Sequence, residues 1–225
     1  THIRKIDEGA LRNLCFFTQL KTSFSYGFKV KEFCSLNSLK LHNCYSNEYW
    51  FRINPAMQGL YNVIHLSMYQ CSLTKIPNQF LNNSHMLKKL SIVSSSVVEL
   101  EINCFQGLQK LSELDLSGNQ INHLNNTVFT DLRYRKKVNL SPNELYTVHE
   151  SNFMGLSYLR FLDISYNALQ SIKAGTFSQL SSLRELNIVR AFNYFYRSKN
   201  EIETIQCEAF LGLFSLKSLR LPYYT

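Results

Sequence analysis

From position 87 to 182 the chain repeats itself in blocks of 24 residues without a gap, and no other feature so restricts what it can fold into. The blocks begin at 87, 111, 135 and 159. Their first position holds Leu87, Leu111, Arg135 and Leu159, the fourth Leu90, Leu114, Val138 and Leu162, and the sixth Ile92, Leu116, Leu140 and Ile164. The ninth holds Ser95, Asn119, Asn143 and Asn167, and a phenylalanine returns as Phe105, Phe129, Phe153 and Phe177. A unit this short cannot bury its own apolar face, so successive units must stack and bury it together.

The columns follow L-x-x-L-x-L-x-x-N/C-x-L, and the repeat is identified as a leucine-rich repeat. Apolar residues at the fourth and sixth places with polar ones between them predict a short strand whose leucines face inward. The ninth-column asparagine is suited to the buried backbone groups of the bend that leaves each strand. Weaker copies extend the pattern to Val63–Met86, with Cys71 in the asparagine column, to a 27-residue copy opened by Leu36, Leu39, Leu41 and Cys44, and to a degenerate one at Phe17 and Leu20. Leu183, Leu186 and Ile188 open a copy that resumes at Ile202, Ile205, Phe210 and Leu213, and Leu216, Leu219 and Leu221 begin a further strand. The expected fold is an α/β-class leucine-rich-repeat solenoid, a horseshoe with a parallel β-sheet on its concave face and a mostly irregular convex side. It runs over residues 1–225 as one domain of about eight full repeats with partial repeats at both ends, plus an insertion loop at 190–200. Ile3 and Ile6 match the eleventh and fourteenth columns and the chain closes on "LRLPYYT", so both ends fall inside the pattern and predict an internal piece of a longer protein.

Hydrophobic content of 45% excludes a disordered chain, and no apolar run is long enough to cross a bilayer. The first residues, "THIRKIDEGA", are not a signal peptide. A net charge of +8 points to anionic partners such as nucleic acid, glycosaminoglycan or lipid head groups. The six cysteines, Cys15, Cys34, Cys44, Cys71, Cys104 and Cys207, show no zinc spacing, and Cys44 and Cys71 read as small buried thiols with a disulfide as the alternative. No cofactor and no metal is expected. No nucleophile elbow or glycine-rich phosphate loop is present, so an enzyme is not expected either.

The 24-residue, Phe-containing repeat resembles the extracellular repeats of animal receptors, most of all a Toll-like receptor ectodomain. Its irregular repeat lengths are similar to those receptors, and "LRELNIVRAFNYFYRSKNEIETI" resembles an insertion-bearing repeat of the double-stranded-RNA-sensing Toll-like receptor. The resemblance implies a fragment of an innate immune pattern-recognition receptor in the extracellular space or endosomal lumen. The parent would be a single-pass membrane protein, with a microbial ligand and a second receptor chain as partners. The family's cysteine-bounded caps, membrane helix and cytoplasmic signalling domain are not in this sequence, so signalling is implied only. A leucine-rich-repeat adhesion or matrix protein is the alternative.

Basic residues dominate the outward strand positions: Lys40, Lys88, Lys89, Lys136, Lys137, Arg160, Arg184, Arg190, Lys217 and Arg220, against Glu113, Asp115, Asp163 and Glu185. A ladder of cations at strand spacing suits a polyanion, RNA foremost, and an ordinary solvated sheet face is the other reading. Arg135 breaks the leucine column; its stem is expected to cover apolar neighbours while the guanidinium reaches solvent beside Arg133, Lys136 and Lys137, with Asp131, Glu113 or Asp115 as possible counter-charges. In the insertion, Arg190, Tyr194, Tyr196 and Arg197 combine aromatic faces with cations, a mixture suited to bases and phosphates or to packing on the solenoid or on a second chain. His42 and His65 lie at outward positions of adjoining repeats, where protonation would add positive charge in an acidic compartment. Glycosylation triplets stand at Asn82, Asn125 and Asn139; Asn139 lies within a strand and is the poorest acceptor of the three.

Overall fold

Alternation at each repeat's fourth and sixth positions produces a nine-stranded sheet in which every pairing is parallel. The computed structural model of the chain describes residues 18–22, 35–43, 60–132, 134–189 and 201–222. Its strands are Gln19–Thr22, Ser38–His42, His65–Tyr69, Lys89–Val93, Glu113–Asp115, Lys137–Asn139, Phe161–Asp163, Glu185–Asn187 and Ser218–Arg220. They lie side by side in sequence order, which requires each repeat to make one full turn of a solenoid. Two short pairings, Lys75–Ile76 with Glu99–Leu100 and Ser171–Ile172 with Thr204–Ile205, mark the flank after the sheet. Elsewhere among the described residues the return path is irregular, with a 3-10 turn at Glu150–Phe153. Leucine-rich-repeat solenoid architecture is thus the observed fold. The insertion at 190–200, Arg133 and Cys44 lie outside the described residues.

The inward columns form one continuous core. Leu66 with Met68, Leu90 with Ile92, Leu114 with Leu116, Val138 with Leu140, and Leu162 with Ile164 are all buried, and each such side chain contributes about 1.5–3 kcal/mol relative to exposure. On the convex side Phe105 stacks on Phe129 at 6.1 Å, and Phe177 lies 5.7 Å from Phe153 and 6.0 Å from Phe210. Between the two layers runs a ladder of buried amides. The Nδ2 of Asn119 donates to Ile92 O (2.7 Å) and Leu116 O (2.8 Å), while its Oδ1 accepts from the amides of Ser95 and Val97. Asn143 bonds Leu116 O, Leu140 O and Ile121 N, and Asn167 bonds Leu140 O, Ile164 O and Leu145 N. Each asparagine thereby closes backbone groups of two neighbouring repeats, which orphaned would cost about 1–3 kcal/mol apiece. Cys71 takes the same place with a smaller group, its buried Sγ lying 4.0 Å from Leu41 O and 3.7 Å from Tyr69 O. Tight backbone approach on the convex side explains Gly155 at φ +89°: a Cβ there would stand 2.8 Å from Thr130 O.

Candidate functional site

Strand register sorts the outward residues into rows running across the repeats. One row reads Gln19, Ser38, His65, Lys89, Glu113, Lys137, Phe161, Glu185, Ser218. Within it Lys89 pairs with Glu113 at 2.9 Å, and the Lys137 ammonium sits 4.8 Å above the Phe161 ring. The next row reads Lys21, Lys40, Ser67, Ser91, Asp115, Asn139, Asp163, Asn187, Arg220. Its acids and amides alternate and interlock: Asn139 donates to Asp115 (3.1 Å) and Asn187 to Asp163 (2.9 Å). Each of the four also accepts from the backbone amide two residues on, at Ser117, Ser141, Ser165 and Val189. The middle of the sheet over these repeats is therefore acidic and hydrogen-bonded, where the sequence suggested a face biased toward positive charge.

Positive charge gathers instead on the leading edge, where the chain bends into each strand. Backbone hydrogen bonds link Lys88, Ser112, Lys136, Arg160, Arg184 and Lys217 in that order, each amide donating to the preceding residue's carbonyl at 2.8 to 3.0 Å. Lys136, Arg160, Arg184 and Lys217 thus stand on four successive strands, all exposed, and among the described residues none of them forms an ion pair. Two residues before the first two of these cations come Tyr134 and Tyr158, 69% and 58% exposed, whose rings stack at 5.7 Å with 30° between their planes. Along Tyr134, Arg135, Lys136 and along Tyr158, Leu159, Arg160 the pattern is exposed, buried, exposed, so ring and cation emerge together while the residue between them points into the core. The tyrosine pair is legible only when the repeats are aligned on their last column, because neither residue belongs to the apolar consensus.

Arg135 does not take part. The expectation that its guanidinium reaches solvent is overturned: it is 0% exposed and fills the leucine position of its column. Its Nη2 donates to Leu108 O, and its Nε and Nη1 have no hydrogen-bond partner among the described residues. Burial pulls its pKa down to about 10, so the group stays charged at neutral pH inside the core. The inward direction is that of its column, in which Leu87, Leu111, Leu159 and Leu183 are buried as well.

Of the other expected residues, Lys88, Lys136, Arg160 and Arg184 come together on the leading edge, and Lys89 and Lys137 lie beside them but are engaged by Glu113 and Phe161. Arg190, Tyr194, Tyr196 and Arg197 fall outside the described residues. His42 and His65 occupy adjoining strands; His42 lies 5.7 Å from the Tyr69 ring. Desolvation foremost, then Lys21 and Lys40, hold His42 below the usual histidine range. His65 is lowered by desolvation and then by Lys89, Lys40 and Lys88, against Glu113, which raises it. Asn82 is exposed, whereas the Nδ2 of Asn125 donates to Leu100 O at 2.7 Å and that of Asn139 is spent on Asp115. Among the described residues no cluster of His, Cys, Asp and Glu is suited to a metal ion, and no helix is long and apolar enough to cross a membrane.

A parallel sheet, an amide ladder and a phenylalanine spine repeated at one period define a leucine-rich-repeat solenoid. A family model described as leucine rich repeat matches residues 85–134 and 136–195, with Arg135 standing between the two segments. The fold is shared with several solved leucine-rich-repeat structures. The chain superposes on TLR13 in its complex with single-stranded RNA (TM-score 0.67, 22% identity, covering 86% of this chain and 29% of that one). It superposes also on Toll of Drosophila in its complex with Spatzle (TM-score 0.70, 16% identity, 93% and 28%). A leucine-rich-repeat protein of Leptospira interrogans is similar as well (TM-score 0.66, 22% identity, 82% and 46%). The chain spans less than half the length of each of these structures. No curated protein sequence matches it.

Proposed function

We propose that the chain is a ligand-recognising stretch of a Toll-like receptor ectodomain, in the extracellular space or endosomal lumen, that takes a microbial polyanion, RNA first, and brings two receptor chains together. The parent is a single-pass membrane glycoprotein that signals, with Asn82 the best-exposed glycan acceptor. The observation that carries this reading is the run of exposed cations, Lys136, Arg160, Arg184 and Lys217, that have no acidic partner among the described residues, along a parallel sheet. Such a run neutralises phosphates one per repeat and releases their counterions. The TLR13 complex with single-stranded RNA lends the ligand class, and the Toll–Spatzle complex keeps a protein ligand in view. The insertion residues Arg190, Tyr194, Tyr196 and Arg197 add a further contact surface in this reading.

Titration of the purified chain with single- and double-stranded RNA over a salt series, at pH 5.5 and 7.4, tests it. Affinity is expected to fall linearly on a log–log plot against salt. An adhesion or matrix role is favoured by the exposed apolar side chains Leu211 and Phe214, which suit a protein partner. Absence of RNA binding at low salt would leave that reading standing and remove the first.

A further inference from the structure

We infer that the leading edge of the sheet is a track for one unpaired polynucleotide strand, with Lys136, Arg160, Arg184 and Lys217 on its phosphates and the Tyr134–Tyr158 pair as a stacking platform for its bases. This rests on the RNA reading above and adds where on the solenoid the chain lies and in what form. Three features of the surface argue for it.

The centre of the sheet repels a polyanion. Over the same repeats it carries Glu113, Asp115, Asp163 and Glu185, and its cations Lys89 and Lys137 are already engaged. The leading-edge cations are exposed, form a single file one strand apart, and have no ion-pair partner among the described residues. Nearby acids are Asp131, exposed before Tyr134, and Glu185, which follows Arg184. A single file matches one sugar–phosphate chain, whereas a duplex presents two backbones across a wide groove and would call for cations distributed over breadth.

The tyrosines distinguish a nucleic acid from other polyanions. Two large rings, more than half exposed and stacked on each other, leave outer faces bare to water. Base faces are available only in unpaired strands, and stacking on such rings is tolerant of sequence. A sulfated glycan offers charge without planar faces and gains nothing from the pair. Lys110, whose ammonium lies 3.1 Å from Met86 Sδ in the same column of the preceding repeats, extends the positive border toward Lys88.

The test uses the whole chain, fluorescein-labelled oligouridylate, a duplex of equal length, and heparin as a polyanion without bases. The variant Lys136→Gln/Arg160→Gln/Arg184→Gln is expected to reduce the slope of log affinity against log salt for the single strand by about 2. Tyr134→Ala/Tyr158→Ala should weaken oligouridylate roughly tenfold or more while heparin affinity changes less than twofold. The control Lys40→Gln/Arg220→Gln, on the sheet centre, should leave oligouridylate within twofold. All substitutions are at exposed positions, and unchanged thermal midpoints confirm that each variant folds. Wild type that binds RNA steeply while edge variants bind equally well, or that prefers duplex or loses heparin with the tyrosines, overturns the track and spares the RNA reading. Wild type that binds no RNA at low salt overturns both.

Discussion

Arg135 buries a charged group where the repeat provides a leucine-sized hole, and the hydrogen-bond ledger around it does not balance. One nitrogen reaches Leu108 O; two reach nothing among the described residues. A desolvated cation with unmet donors destabilises a core unless other interactions offset it, and replacing such groups by apolar side chains of similar volume is often stabilising by about 1–4 kcal/mol. Arg135→Leu is therefore expected to raise the urea midpoint and the melting temperature, and to leave RNA affinity unchanged because the residue is out of a ligand's reach. A drop in stability would show that the guanidinium is better satisfied than its geometry indicates. The sequence marks this residue clearly as a break in a column. The column alone predicts an inward side chain, as at Leu87, Leu111 and Leu159, and the charge alone an outward one; only the folded surroundings decide between them. Tyr158 was invisible for the same reason: its importance comes from a ring 5.7 Å away in the next repeat.

Single repeats gain their rigidity from the asparagine ladder. Asn143 bonds two carbonyls and one amide of neighbouring repeats; Asn143→Ala orphans Ile121 N, while Leu116 O and Leu140 O each drop to one amide donor, from Asn119 and Asn167. A loss of about 1–3 kcal/mol is expected in equilibrium unfolding, from the one orphaned amide, with the two weakened carbonyls adding to it. Ser95→Ala, where a hydroxyl serves only Cys71 N and Val93 O, should cost clearly less. Equal losses at the two sites would deny the ladder its role. This element was legible in advance, since a column of Asn, Ser and Cys in an apolar setting has few physical explanations. The alternating Asp115, Asn139, Asp163 and Asn187 row was equally present in the letters. Its meaning depends on amides donating across strands, which only the register reveals, and so Asn139 looked like a sequon before it proved a strand-to-strand bond.

Over the whole molecule charge is sorted by position: cations along the leading edge and on the first strands, acids in the middle of the later strands. His42 and His65 lie among the cations of the first strands, and both titrate below the usual histidine range. The folded chain thus binds protons less readily there than the unfolded chain does. Stability contributed by these groups is present above the ordinary value of about 6.5 and is lost as pH falls through the lowered folded values. The urea midpoint is expected to decline between pH 7.4 and 5, with His42→Gln/His65→Gln flattening that decline. Architecture at this scale was readable because the period forces it. The functional surface was not, because net charge of +8 says nothing about which edge carries it. A lysine-modification footprint with and without bound oligouridylate tests the central claim most directly. The account predicts that Lys136 and Lys217 are protected together while exposed Lys173, on the opposite flank, keeps its reactivity. Protection of Lys173 to the same degree, or of neither edge lysine, would contradict it.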